Sequence, residues 1–114
     1  MKLLIVDDSY EIRGVLKSIC ADLFDKIIEC EDGDEAVSAY INEKPDWVLM
    51  DIKMKRTDGI TATKQIKKYF PEARIIIVSQ YIDKAFEESS KQAGAEAFVP
   101  KEDLTKVEEI IKNR

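Results

Sequence analysis

Three aspartates, a lysine and a serine carry the chemical content of this sequence. Asp7 and Asp8 stand together at the end of the apolar run Leu3-Leu4-Ile5-Val6, and Asp51 ends a second run, Trp47-Val48-Leu49-Met50. Carboxylates gathered in one cleft repel one another unless a cation sits among them, and an all-oxygen set without histidine or thiolate suits Mg²⁺ or Mn²⁺. Lys101 follows Pro100 after a further short apolar segment, and Ser79 closes the run from Arg74 to Val78 with a hydroxyl. An ammonium and a hydroxyl donor facing an acidic metal site complement the equatorial oxygens of a phosphoryl group. Each member also has a plainer reading. Asp7-Asp8 serves equally well as favourable charge at a helix start, and a single lysine is most often a solvated one.

These side chains meet only if the chain delivers them to one edge. The run from Asp46 to Asp51 is opened by Pro45 and followed by the turn-prone Thr57-Asp58-Gly59, which fits a strand buried on both faces. Asp51 then lies at the carboxyl end of that strand, where open parallel α/β sheets carry their ligand crevice. Lys2 to Val6 reads as a first strand, and Ser9 as the N-cap of a helix to about Leu23 with Ile12, Leu16, Ile19, Cys20 and Leu23 inward. Ile27 to Cys30 reads as a second strand, and Asp32-Gly33-Asp34 starts a helix to about Asn42, stopped by Lys44-Pro45. A third helix is predicted from about Ile60 to Tyr69, ended by Phe70-Pro71, before the strand Arg74 to Val78. A fourth helix spans about Lys84 to Ala93 with Gly94 as its C-cap, Ala97 to Val99 makes a fifth strand, and a last helix runs from about Leu104 to near Arg114. Five strands alternating with five helices imply an α/β fold: a doubly wound parallel sheet with right-handed crossovers.

The chain has 114 residues, enough to bury a core as one domain, residues 1–114, without disulfides or a structural metal. A net charge of −5 argues against direct nucleic-acid binding. No apolar run approaches a membrane span, and Met1-Lys2-Leu3-Leu4-Ile5-Val6 meets acids at once, unlike a signal peptide, so a cytoplasmic location is expected. Cys20 and Cys30 have no partner cysteines or histidines for a zinc site and read as buried reduced thiols.

Taken together, Asp7-Asp8, Asp51, Asp58-Gly59, Ser79, Gly94-Ala95 and Phe98 to Lys101 make the whole chain resemble the receiver domain of two-component response regulators. The resemblance implies a flavodoxin-like sheet of strand order 2-1-3-4-5. It implies that Asp51 accepts a phosphoryl group from a phosphohistidine on a sensor histidine kinase or phosphotransfer protein, an autocatalysed step of a signalling switch, not of an enzyme in the ordinary sense. It further implies that Asp8, Asp51 and the backbone carbonyl of Lys53 hold Mg²⁺, with Asp7 acting through water, and that Lys101 pairs with the phosphoryl group. Ser79 and Phe98 correspond to the switch pair: Ser79 turns toward the phosphoryl group and Phe98 rotates inward, changing the face of helix four, strand five and helix five and allowing a homodimer through it. Without the family, Phe98 reads as an ordinary core aromatic. Tyr10, Glu11, Gly14, Val15 and Ser18 match the helix-one surface offered to the kinase, although a solvated helix reads the same way. Lys64, Lys67 and Lys68 read as a solvated face. Arg13-Gly14-Val15-Leu16 and Gly94 to Phe98 look like receivers joined to helix-turn-helix output domains, which points to transcription by analogy.

Three positions depart from the family. Lys55, followed by Arg56, stands where proline is frequent, so a looser and more basic loop is expected. Gln80 replaces a small residue beside Ser79 and, with Lys53, would tune phosphoryl lifetime. Phe98 replaces the commoner tyrosine and lacks its hydroxyl. Among rival readings, a phosphoaspartate phosphatase of the haloacid dehalogenase type needs an aspartate where Lys53 stands, and a flavin binder needs a Ser/Thr/Gly-rich phosphate loop. A phosphorylation-independent pseudo-receiver is opposed by the intact acidic, hydroxyl and lysine set.

Overall fold

The computed structural model describes residues 1–113. Its elements are β1 (Lys2–Val6), α1 (Tyr10–Cys20), β2 (Lys26–Cys30), α2 (Gly33–Glu43), β3 (Trp47–Met50), α3 (Gly59–Tyr69), β4 (Ile75–Ser79), α4 (Lys84–Ala93), β5 (Ala97–Pro100) and α5 (Thr105–Lys112), with a 3₁₀ turn over Lys101–Asp103. The five strands form one parallel sheet in the order β2-β1-β3-β4-β5, as expected from the resemblance. Because successive strand side chains point to opposite faces, the sheet splits the core into two layers. Leu4, Val6, Val48, Met50, Ile75 and Ile77 face Ala36, Tyr40, Ala62 and Ile66 of α2 and α3. Leu3, Ile5, Leu49, Ile76 and Val78 face Leu16 and Cys20 of α1 and Val107 and Ile111 of α5. The apolar runs are continuous because both faces of each central strand are covered.

Helix ends follow local chemistry. Ser9 caps α1, its Oγ accepting from the Ile12 N–H at 3.2 Å. Helix α1 is shorter than the periodicity predicts: it stops at Cys20, and the Leu23 N–H bonds the Cys20 carbonyl at 2.9 Å. That i to i+3 bond tightens the last turn and ends the α-pattern while Leu23 still packs on the core. Helix α2 ends at Lys44, whose left-handed φ of 47° lets its N–H return to the Tyr40 carbonyl. Gly94 caps α4 with φ 105°, as expected. The last helix begins at Thr105, at the expected place, after the 3₁₀ turn, and its expected end near Arg114 lies outside the described residues. Both thiols are buried and free. No helix among the described residues is long and apolar enough to cross a membrane.

Candidate functional site

Strand register decides which side chains meet. Val6 pairs with Met50 on one side and Cys30 on the other, so the next residues of β1 and β3, Asp7 and Asp51, emerge side by side at the carboxyl edge. The Asp51 N–H bonds the Val6 carbonyl at 2.8 Å, carrying the ladder one step beyond β3. Ser79 pairs with Pro100, so Lys101 leaves the adjoining edge strand at the same level. The side chain of Lys101 reaches past β4 to both acids: its Nζ lies 2.9 Å from Asp7 Oδ2 and 3.2 Å from Asp51 Oδ1.

Asp7 and Asp51 are buried, whereas Asp8 is exposed. The chain turns at this point as the Ser9 N–H donates to Asp7 Oδ1 at 2.9 Å, and the three carboxylates gather with one oxygen of each within 4.8 Å of the others. Three carboxylates and one ammonium leave the cluster short of positive charge. Burial, and then the neighbouring Asp7 charge, push the Asp51 carboxyl up to about 6 against the pull of Lys101, with Asp8 adding to the rise. Burial by itself would lower the Lys101 ammonium, but its contacts with Asp7 and Asp51 outweigh that and raise it above its ordinary value. The donor set is all oxygen and electron-rich, which fits a hard divalent cation.

Asp51 Oδ1 is occupied, accepting from the Ile52 N–H at 2.9 Å and pairing with Lys101. Asp51 Oδ2 has no hydrogen bond or ion pair among the described residues. A cleft of about 350 Å³ opens over it, lined by Asp8, Asp51, Lys53, Gln80, Tyr81 and Lys101. Ser79 is fully buried at the end of β4, and its hydroxyl is engaged locally, accepting from the Tyr81 N–H at 2.9 Å and donating to the Tyr81 carbonyl at 3.2 Å. Phe98 is half-buried on β5 and lines a separate cleft of about 230 Å³ against Glu87, Ser90 and Lys91 of α4. Tyr10, Glu11, Gly14, Val15 and Ser18 all lie exposed on the outer side of α1.

Several site features escaped the sequence reading. Arg13 is buried, donating through one terminal nitrogen to the Asp7 carbonyl at 2.7 Å and through Nε to Glu29 at 2.9 Å, so it ties α1 to the peptide between the two acids. Its spacing with Leu16 and Cys20 was the available signal. The Lys53 ammonium sits 5.0 Å from the Tyr81 ring centre and 5.6 Å from that of Phe86, drawing the loop after β3 toward the loop after β4. Gly59 permits the tight return of that first loop: a Cβ there would lie 1.7 Å from the Asp51 carbonyl oxygen. Asp32, at the N-terminus of α2, accepts from the N–H groups of Arg56 and Thr57, each at 2.9 Å. The loop expected to be loose for want of a proline is therefore fastened at two consecutive amides.

Residues 3–112 match the family model described as the response regulator receiver domain. The chain belongs to that family. The receiver is 41% identical over 101 residues to the chemotaxis protein CheY of Bacillus subtilis, covering 88% of this chain and 84% of that protein. It is 37% identical to the uncharacterized transcriptional regulatory protein YhcZ of the same organism, over all of this chain but 53% of that protein. Among solved structures it resembles CheY in the CheX-CheY-BeF3-Mg+2 complex from Borrelia burgdorferi, with a TM-score of 0.92 and 32% identity over 99% of this chain and 87% of that one. It also resembles the response regulator domain of Thermotoga maritima CheB, with a TM-score of 0.87 and 31% identity over 99% and 94%. Receivers are signalling switches that work with histidine kinases or phosphotransfer proteins, and aspartate phosphorylation and Mg²⁺ binding at an acidic cluster are general features of the family.

Proposed function

We propose that this receiver takes a phosphoryl group from a sensor histidine kinase or phosphotransfer protein onto Asp51, in a reaction that needs Mg²⁺. The observation that carries this reading is Asp51, with Oδ2 unpaired among the described residues, in a cleft lined also by Lys101 and Asp8, with the Asp7 carboxylate buried beside them. Asp51 Oδ2 attacks phosphorus, the bond from phosphorus to the donor's imidazole nitrogen breaks, and the donor histidine leaves with the electron pair. Lys101 already points its ammonium at the acceptor and offsets charge on the phosphoryl oxygens. Asp8, Asp51 and the Lys53 carbonyl would hold Mg²⁺, with Asp7 acting through water, and Mn²⁺ shares the same donor preference. Bound there, the cation supplies the positive charge that the cluster lacks. Asp7, both of whose oxygens are engaged by Ser9 and Lys101, sets the position of the ammonium.

The signal then passes through Ser79 and Phe98. A phosphoryl group adds nearly two negative charges and three acceptors, drawing the Ser79 hydroxyl from Tyr81 and moving the loop after β4. Phe98 turns inward, and the altered face of α4, β5 and α5 supports homodimerisation and an output, in the cytoplasm, for which the transcriptional relatives favour transcription. Tyr10, Glu11, Gly14, Val15 and Ser18 offer the kinase-facing surface, and Gln80 with Lys53, both lining the cleft, tune the lifetime of the phosphoryl group.

The test is intact-mass spectrometry after incubation with acetyl phosphate or phosphoramidate, with and without Mg²⁺, on wild type and Asp51→Asn. One phosphoryl adduct that requires both Mg²⁺ and Asp51 is the expected result. No adduct from either donor, together with no transfer from a phosphorylated kinase, would overturn the reading and leave a phosphorylation-independent module.

A further inference from the structure

We infer that Asp32 is a positioning residue for the metal and phosphoryl site, acting through the backbone of the β3–α3 loop; the inference rests on the reading of Asp51 as a Mg²⁺-dependent acceptor. Asp32 makes no hydrogen bond or ion pair with Asp7, Asp8, Asp51 or Lys101 among the described residues. It lies two residues beyond β2, is only 4% exposed, and spends both carboxylate oxygens on backbone amides. Oδ1 accepts from Thr57 at 2.9 Å and from Asp34 at 3.3 Å, and Oδ2 accepts from Arg56 at 2.9 Å. Burial would raise this carboxyl, but those N–H donors hold it well below the usual carboxylate range, so the clamp is charged at neutral pH.

The loop it grips is the one that carries Lys53. The loop is pinned at its start, where the Ile52 N–H meets Asp51 Oδ1, and at its end, where the Gly59 N–H bonds the Ile52 carbonyl at 2.7 Å. Between those points the Asp32 oxygens take two consecutive amides, and the Gly33 N–H takes the Thr57 carbonyl at 3.2 Å. The approach is close enough that a Cβ on Gly33 would lie 2.4 Å from that carbonyl oxygen. Lys55, one residue before the clamped pair, is exposed and its N–H bonds nothing among the described residues. Between its pinned ends, the order of the loop therefore comes from a neighbouring element. A carbonyl ligand is useful to a cation only when its direction is fixed, and groups that fix ligands without touching the metal typically govern affinity by ten- to a hundredfold.

Asp32→Asn separates the clamp from the helix cap. An asparagine retains one oxygen for Thr57 and Asp34 but turns an NH₂ group toward the Arg56 N–H. The experiment measures Mg²⁺ affinity by calorimetric titration, amide exchange at Arg56 and Thr57, and the unfolding midpoint, on wild type and the variant. Expected are a loss of Mg²⁺ affinity of about tenfold or more and faster exchange at the two amides, in protein that still unfolds cooperatively. Adding Lys55→Pro, which stiffens the loop without removing a bonded N–H, should restore affinity; Lys55→Gln, which removes the same charge without stiffening, should not. Affinity unchanged within about twofold, or equal rescue by proline and glutamine, would overturn the inference, the latter assigning the effect to charge. Asp32→Ser keeps a capping oxygen and guards against a variant that fails to fold. If wild type itself neither binds Mg²⁺ nor accepts phosphate at Asp51, the underlying reading fails instead, a result that the wild-type arm reports separately.

Discussion

Replacing the Asp51 carboxylate should make the metal-free domain more stable. Asp51 is buried and its pKa is raised from 3.8 to about 6, so between those values the folded protein holds more protons than the unfolded chain. Stability therefore falls as pH rises through this window, with the penalty absent well below pH 4 and complete above pH 6. A shift of about two units at 1.36 kcal/mol each amounts to about 3 kcal/mol at neutral pH. Asparagine removes that charge, keeps an oxygen for the Ile52 N–H, and leaves Lys101 paired with Asp7. Asp51→Asn should thus raise the midpoint of thermal unfolding by about 10 °C at pH 7.5 in EDTA, taking about 4 °C per kcal/mol for a domain of this size. The gain should shrink toward zero at pH 4, where wild type is itself largely protonated, and should shrink at pH 7.5 in saturating Mg²⁺, which binds only the folded wild-type site tightly. Urea and thermal unfolding of both proteins at the two pH values suffice. An Asp51→Asn protein no more stable than wild type at pH 7.5, or equally advantaged at both pH values, would refute the electrostatic account of the cluster.

The opposite change, Lys101→Met, leaves Asp7 and Asp51 without their shared cation and should destabilise the metal-free domain by about 3 kcal/mol. Saturating Mg²⁺ should narrow that gap; equal midpoints in EDTA would count against the ion pairs. Gly59→Ala places a methyl against the Asp51 carbonyl, so both the unfolding midpoint and Mg²⁺ affinity should drop, and a variant unaltered in both would contradict the close approach. Burial pushes the Cys20 and Cys30 thiols up to about 11, so iodoacetamide at pH 8 should label them slowly in native protein and quickly in urea. Labelling of native protein within minutes would show that the two-layered core opens readily.

Element order and the meeting of Asp7, Asp51, Ser79 and Lys101 at one edge were legible in apolar runs that pass into polar residues, whereas the strand pairing order came only from the resemblance to receivers. Periodicity overran the end of α1, since Leu23 keeps its place against the core through a tighter turn that no spacing rule distinguishes from helix. What stayed hidden was held by backbone atoms. The Asp32 clamp, the Arg13 bond to the Asp7 carbonyl and the return at Gly59 all involve main-chain groups that are identical at every position, so side-chain pattern is silent about them. Arg13 came nearest to detection: a charge at inward helical spacing asks for a buried partner, and it finds one in Glu29 and the carbonyl. The missing proline at Lys55 pointed toward a mobile loop because only the loop's own residues were being read.

The two hydrogen bonds between the Ser79 hydroxyl and the Tyr81 backbone bear on signal quality. A serine idling in solvent would sample its turned rotamer freely, and a fraction of resting molecules would pass for activated ones. In the switch proposed above the hydroxyl must part from both Tyr81 partners first, each worth about 1 kcal/mol net, which disfavours turning before phosphorylation. In a switch read by a downstream partner, the turned fraction is the leak: the background against which every true stimulus is judged. Under the proposed switch the unphosphorylated form is then a bonded state in its own right, and a substitution that loosened the Tyr81 turn would raise the noise of the pathway while leaving Asp51 and Lys101 in place.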